Sequence, residues 1–141
     1  MIKISENNLM INGANLSFPI RIKQVIEIEN FVLVCIAYDY KLDVGIEWND
    51  GGKQKWQELN SKFLKPTLFC FDNKGNVVWE FCLNGFFDIS KLDNNSMEND
   101  TRIKSWIRIN PDKPNVFIVY GDDILLVDYK TGEIYKRLEM R

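Results

Sequence analysis

The chain has 141 residues, of which 45% are hydrophobic and 27% charged, and it carries a net charge of −2 with an isoelectric point near 5.2. This balance excludes a wholly disordered or fibrous protein, and the length suits one domain with its own hydrophobic core. Direct binding to nucleic acid is also disfavoured, because a weakly acidic chain has no excess of cations to hold phosphates.

The first 20 residues predict an N-terminal hairpin or meander, because short apolar segments flank Asn12-Gly13, a pair that favours a tight hairpin turn. No apolar run is long enough to cross a membrane, and the first residues lack the layout of a signal peptide. We therefore expect a cytoplasmic protein. Cys35, Cys70 and Cys82 are odd in number and lie in apolar segments, which predicts buried thiols rather than disulfides.

An internal repeat organises the rest of the chain. The sequence RIKQVIEI at 21–28 is echoed by RIKSWIRI at 102–109, and each is followed by a second apolar segment. Two further strand-like segments then follow in each half, joined by a turn that begins with Asp and contains Gly. An Asp at the start of a turn can bond the backbone two residues on, so we expect Asp72 and Asp128 to be structural. The pattern predicts one four-stranded antiparallel meander over 21–82 and another over 102–141.

Two segments occur only once. An insertion at 39–65 separates the second and third strands of the first unit, where the second unit has a tight turn. Alternating apolar residues over 44–48 predict a short strand in this insertion, and apolar residues at helical spacing over 53–64 predict a short helix. An acidic linker at 83–101 joins the two units. Long connections of this kind often carry function, so we expect binding residues in both segments.

The last hairpin of each unit resembles that of a β-propeller blade of the quinoprotein type. Such blades end with Asp, a Thr-Gly turn and Trp, which DYKTGEIY at 128–135 approaches and DNKGNVVW at 72–79 repeats with a shorter turn. Closing a propeller takes four or more blades, so two units exclude a cofactor-bearing propeller. We expect a mainly β fold in which the two meanders and the N-terminal hairpin pack as a sandwich or an open propeller-like stack, with one short helix in the insertion.

Catalytic chemistry has little support in the sequence. It contains no histidine, which is the commonest general base and a frequent zinc ligand, and it lacks a C-x-x-C pair and a glycine-rich phosphate loop. The acidic segment 93–100 lacks the ligand order and the glycine of a calcium-binding loop. We therefore predict that the protein is not an enzyme and holds no cofactor and no metal ion.

Two surfaces are predicted to bind a protein partner, one in the insertion and one in the acidic linker. Aromatic residues rimmed by charge are typical of interface hot spots. The predicted contact residues are Asp43, Glu47, Trp48, Asp50, Trp56, Asp88, Asp93, Glu98 and Asp100. We expect one of the two tryptophans, rather than both, to be open to the partner.

A short acidic chain with blade-like meanders and no catalytic groups resembles the small bacterial immunity proteins, including those of contact-dependent growth inhibition, which bind and inactivate a toxin from a competing cell. The resemblance implies an inhibitor that covers a basic toxin, for example a nuclease, with its acidic aromatic surface. The sequence does not fix the oligomeric state, and we favour a monomer over an oligomer. Two alternatives stay open. A small-molecule or glycan binding module would stack its ligand on Trp48 and Trp56, and a structural subunit would pair its edge strands with another chain.

Overall fold

A computed structural model describes residues 2–83, 87–91, 105, 108–109, 116–120 and 123–139. The strands form three antiparallel sheets, called here the first, second and third sheet in chain order. The first contains β1 (Ile2–Ser5), β2 (Asn8–Ile11) and β3 (Ala14–Ser17). The second contains β4 (Ile22–Ile28), β5 (Phe31–Ile36), β6 (Leu68–Asp72) and β7 (Val77–Phe81). The third contains β8 (Phe87–Lys91), β9 (Val116–Tyr120), β10 (Asp123–Val127) and β11 (Ile134–Glu139).

Each sheet is a meander in which neighbours in sequence are neighbours in space. The predicted mainly β class is confirmed, as is the predicted helix in the insertion, which forms α1 (Gly52–Lys62). The short strand predicted over 44–48 is wrong. A π-helical turn at Tyr40–Val44 ends where Gly45 adopts a φ of 69°, and a 3-10 turn follows at Trp48–Asp50. Apolar alternation made no strand here, because a strand also needs a neighbour to pair with.

The first strand of the third sheet is not the one predicted. Ser105, Arg108 and Ile109, the residues described within 102–109, are helical, and the strand that pairs with β9 is β8. β8 lies within the segment 83–101, which was predicted to be a linker. The prediction is wrong over these five residues, because they form a strand.

The sequence of the segment 102–109 explains why a strand was wrongly predicted there. RIKSWIRI places apolar residues three and four apart, at 103, 106 and 107, a spacing that suits a helix as well as a strand. The two sheets also place their long connections differently, between β5 and β6 in the second sheet and between β8 and β9 in the third. The insertion between the second and third strands is confined to the first unit, as predicted, and the third sheet has a long connection at a different place.

The second sheet is the middle layer of the fold, and β5 explains why. Successive residues of a strand point to opposite faces, and β5 is apolar on both. Val32, Val34 and Ile36 belong to a core shared with Leu9 and Ile11 of the first sheet. Leu33 and Cys35 belong to the opposite core, which the second sheet shares with residues of the third: Ile89, Val116, Ile118, Leu125, Val127 and Tyr129. The sheets therefore pack face to face.

The cysteines follow this layering only in part. Cys35 and Cys70 are buried in the core between the second and third sheets, as predicted. Burial, followed by the charge of Asp72, raises the pKa of the Cys70 thiol to about 12, so this thiol stays protonated near neutral pH. Cys82 is exposed, and the prediction that it is buried is wrong, because it lies just beyond the end of β7.

Local chemistry fixes the hairpin turns of the second and third sheets. Asp72 Oδ1 accepts hydrogen bonds from the backbone N–H groups of Lys74 and Asn76, each at 2.9 Å. Asp128 Oδ1 accepts one from the Lys130 N–H at 2.8 Å. The hydrogen bond from Asn76 and then that from Lys74 lower the pKa of Asp72, although desolvation acts against them. Both aspartates therefore have the structural role that the sequence predicted for the turns.

A glutamine side chain joins the second sheet to the third. The Gln24 side chain, on β4, donates from Nε2 to the Ile89 carbonyl oxygen at 3.2 Å and accepts at Oε1 from the Ile89 N–H at 3.0 Å. The amide thus satisfies both backbone groups of one residue on β8, in the way that a neighbouring strand would.

Replacing Gln24 with Leu should lower the free energy of unfolding by about 1–3 kcal/mol, because two partly buried backbone groups of Ile89 lose their partners. Urea unfolding measures this change. The exposed Gln54 of α1 provides the matched control, and Gln54→Leu should change stability by less than about 0.5 kcal/mol. Equal losses in the two variants would mean that the Gln24 amide does not hold β8 in place.

Candidate binding surface and adjacent cleft

The segment between β5 and α1 is held in shape by its own carboxylates. Asp39 Oδ1 accepts a hydrogen bond from the Leu42 N–H at 2.9 Å, and Asp43 Oδ2 accepts one from the Asp39 N–H at 2.6 Å. These bonds satisfy backbone donors at the start of the Tyr40–Val44 turn, as side-chain caps do at helix N-termini. Asp43, one of the predicted contact residues, therefore contributes to the local fold.

Helix α1 is attached to the end of β5 through two side chains. Trp56 Nε1 donates a hydrogen bond to the Tyr38 carbonyl oxygen at 3.0 Å, and Asn60 Oδ1 accepts one from the Tyr38 N–H at 3.1 Å. Phe63 packs edge-on against the Tyr38 ring at 6.1 Å between centroids. Gly52 opens the helix where a Cβ atom would collide with the Ile46 carbonyl and the Tyr40 hydroxyl, so only glycine fits without rearrangement.

Three aromatic rings pack together in the insertion. Trp48 lies edge-on to Tyr40 at 4.9 Å and tilted by 50° to Trp56 at 5.8 Å. Trp48 remains 41% exposed, whereas Trp56 is partly buried and hydrogen-bonded. Leu42 and Ile46 are 68% and 39% exposed in the same segment. We call Tyr40, Leu42, Ile46, Trp48 and Trp56 the aromatic surface.

Negative charge lies beside the aromatic surface. Glu47 and Asp50 are exposed on either side of Trp48 in sequence. Desolvation, followed by the charges of Glu47 and then Asp50, raises the pKa of Tyr40, so both carboxylates lie within electrostatic reach of that ring. The Tyr40 hydroxyl donates a hydrogen bond to the Ile46 carbonyl oxygen, which holds the segment closed. The arrangement provides exposed apolar side chains with a negative margin.

A cleft of about 440 Å³ adjoins this surface. It runs between β1, the start of β4 and the segment that follows β5. Its lining includes Ile4, Arg21, Lys23, Tyr40, Leu42 and Trp56. The aromatic surface and the cleft therefore share three side chains, and a ligand in the cleft would contact the outer part of the insertion.

The sequence prediction located one part of this site and missed the other. Asp43, Glu47, Trp48, Asp50 and Trp56 all lie in or beside the aromatic surface. Only the backbone of Asp88, on β8, is described, and Asp93, Glu98 and Asp100 fall outside the described residues. The predicted contact residues of the acidic linker therefore lie outside the described side chains.

The cleft residues Arg21 and Lys23 were not predicted from the sequence. They flank Ile22 at the start of β4, and the β4–β5 register shifts between Ile22 and Gln24. A regular strand would direct Ile22 away from its two neighbours, yet all three residues line the cleft. A bulge in a strand can re-orient side chains in this way, but it is set by pairing and has no clear mark in a single sequence.

Comparison of the chain with protein-family models, with curated proteins and with solved structures finds no match in any of the three. Among the helices that the structure describes, none is long and apolar enough to cross a membrane. Within the same described residues, no group of three or more cysteine or acidic side chains is placed to hold a metal ion.

Proposed function

We propose that this protein binds a cationic protein partner through its aromatic surface and neutralises it, as cytoplasmic immunity proteins neutralise toxins. The observation that carries the proposal is Trp48, a large ring that is 41% exposed yet held between Tyr40 and Trp56. An anchored aromatic side chain loses little conformational freedom on binding, which is why tryptophan is enriched in interface hot spots.

The charges beside Trp48 support a basic partner. Glu47 and Asp50 are exposed, and the chain as a whole is negative. Complementary charge accelerates encounter, while a buried aromatic anchor slows dissociation. A partner that depends on a cationic substrate-binding face, as a nuclease does, would lose access to its substrate once that face is covered. Inhibition by occlusion needs no catalytic group in the inhibitor.

The similarity of the second and third sheets supports a common origin as duplicated blade-like units. Both are four-stranded meanders, and in both the last turn begins with an aspartate whose Oδ1 accepts from the N–H two residues later. Gly75 and Gly132 then adopt φ angles of 86° and 79°. In this proposal the duplicated sheets provide a rigid scaffold, and the connection between β5 and β6 provides the contact surface.

The proposal can be tested by the protection of cells against a toxin and by direct binding of the toxin in vitro. The protein encoded by the adjacent gene is the first partner to try, because immunity genes commonly lie beside toxin genes. Co-expression of the chain should restore growth to cells that make this toxin. In vitro, Trp48→Ala should weaken binding by about 2 kcal/mol or more, roughly thirtyfold in Kd. The double variant Glu47→Lys, Asp50→Lys should slow association about tenfold at low salt.

Strand β7 provides matched controls at the edge of the second sheet opposite to β4. Val78 is 41% exposed, as Trp48 is, and Glu80 is exposed on the same strand. Val78→Ala and Glu80→Lys should leave protection and Kd unchanged. A toxin that the chain binds equally well with and without Trp48 would refute the proposed surface, and failure to protect against the adjacent toxin would refute the proposed partner.

A further inference from the structure

Three consecutive residues at the start of β4 line one cleft. Arg21, Ile22 and Lys23 all line it, and the pairing of β4 with β5 is irregular just before Gln24. Two cationic residues thus share the cleft with apolar residues that include Leu42 and Trp56. Bulges are over-represented beside functional sites, where they redirect a side chain towards a ligand.

Arg21 has a buried donor that the described residues do not satisfy. Its Nε atom is inaccessible to solvent and has no hydrogen-bond partner among them. The nearest carboxylate oxygen, Asp43 Oδ2, is 3.6 Å away, close enough for an ion pair but too far for a hydrogen bond. Asp43 Oδ2 also accepts from the Asp39 N–H, which fixes its position. Arg21 therefore lines the cleft with a side chain that is 30% exposed and whose buried Nε makes an ion pair but no hydrogen bond within the described part of the chain.

The charges of the cleft limit the ligands that it can bind. Arg21 and Lys23 line it together with Glu6 and Asp39, and Asp43 lies close to Arg21. These acids repel a doubly charged phosphate more strongly than a single carboxylate, which can also lie along a guanidinium as a planar pair. The volume of about 440 Å³ falls within the range of small-molecule sites, roughly 300–1,000 Å³.

We propose that this cleft binds an organic monocarboxylate with an apolar or aromatic body. The carboxylate pairs with the Arg21 guanidinium, Lys23 adds a second positive charge, and the body lies against Leu42 and Trp56. The proposal does not depend on the protein partner, because it concerns the cleft and not the exposed ring of Trp48. It assigns a role to Arg21 and Lys23 that the aromatic surface leaves unexplained.

The test uses the whole protein with N-acetyl-L-phenylalanine as the probe and its uncharged amide as the comparison. Titration is followed by tryptophan fluorescence and by calorimetry. The acid should bind saturably and at least tenfold more tightly than the amide, and inorganic phosphate should not compete at equal concentration. Arg21→Gln should abolish this preference for the acid, Lys23→Gln should reduce it severalfold, and Lys62→Gln, at the exposed end of α1, should leave it unchanged.

Circular dichroism and urea unfolding show whether Arg21→Gln remains folded, and the Lys23→Gln variant tests the charge independently of Arg21. A peptide that ends in Phe separates two sources of the same chemistry. If the peptide binds more tightly than N-acetyl-L-phenylalanine, the ligand of the cleft is the C-terminus of a chain. If the two bind equally, the ligand is a free acid. Equal affinity for acid and amide, or full binding by both charge variants, would overturn the proposal, as would the absence of saturable binding.

Discussion

Replacing Trp79 with Ala should lower the free energy of unfolding by about 3–5 kcal/mol, the usual cost of removing a large aromatic side chain from a core. Trp79 is 8% exposed and belongs to the core between the second and third sheets. Its Nε1 donates to the Tyr129 carbonyl oxygen at 2.9 Å, and its ring lies 5.0 Å from that of Phe81. The substitution therefore removes packing and a buried hydrogen bond together, and urea unfolding measures their combined contribution to the free energy of unfolding.

Two further variants separate these contributions. Trp79→Phe keeps most of the apolar volume but removes the donor, so it should cost less, about 1–3 kcal/mol. The Tyr129 carbonyl still accepts from Cys70 Sγ at 3.3 Å, which limits the loss. Trp48→Ala removes the same side chain from the surface and should cost about 1 kcal/mol or less. If Trp79→Ala and Trp48→Ala unfolded at the same urea concentration, the packing assigned to Trp79 would be wrong.

Replacing Gly132 with Ala should lower the free energy of unfolding by about 2–4 kcal/mol, from two causes that add. Gly132 has a φ of 79°, which disfavours any residue with a Cβ atom. That atom would also lie 2.8 Å from Cγ of the Trp79 ring, which is buried and cannot move freely. The tight turn of the third sheet thus packs directly on the second sheet, and urea unfolding again gives the magnitude.

Gly13 is the matched control, because it shares the first cause and lacks the second. Its φ is 89°, and nothing lies within 4 Å of the position that a Cβ atom would take. Gly13→Ala should therefore cost only the conformational term, about 1 kcal/mol. The difference between the two variants measures the contact between Gly132 and Trp79. A cost for Gly132→Ala no larger than that for Gly13→Ala would show that the contact does not constrain the packing.

The aromatic surface could be anticipated only in part. Helical spacing placed Trp56 on α1, and the excess of aromatic and charged residues drew attention to Trp48 and Glu47. The sequence did not show which of the two tryptophans would be more exposed. Trp56 is held inwards by its hydrogen bond to the Tyr38 carbonyl oxygen, 18 residues away in sequence, whereas the Trp48 ring packs against Tyr40.

Features that depend on a few adjacent residues could be predicted from the sequence. Asn12 and Gly13 both adopt positive φ, and Asp72 and Asp128 bond to the N–H groups two residues later, as their turn sequences predicted. The uniformly apolar sequence of β5 likewise suits a strand that is buried on both faces. These features follow from backbone sterics, side-chain hydrogen bonds within the turn and the period of a strand.

Which distant segments pack together became clear only from the folded structure. It selected β8 as the partner of β9, and it brought Arg21 beside Asp43 and Trp56 to form the cleft. Strand pairing and cleft formation depend on how much apolar surface two distant segments can bury together, and many segments of one chain compete for the same partner. A local sequence pattern indicates that a segment can pair as a strand or bury one of its faces. Which other segment it packs against depends on the whole folded chain.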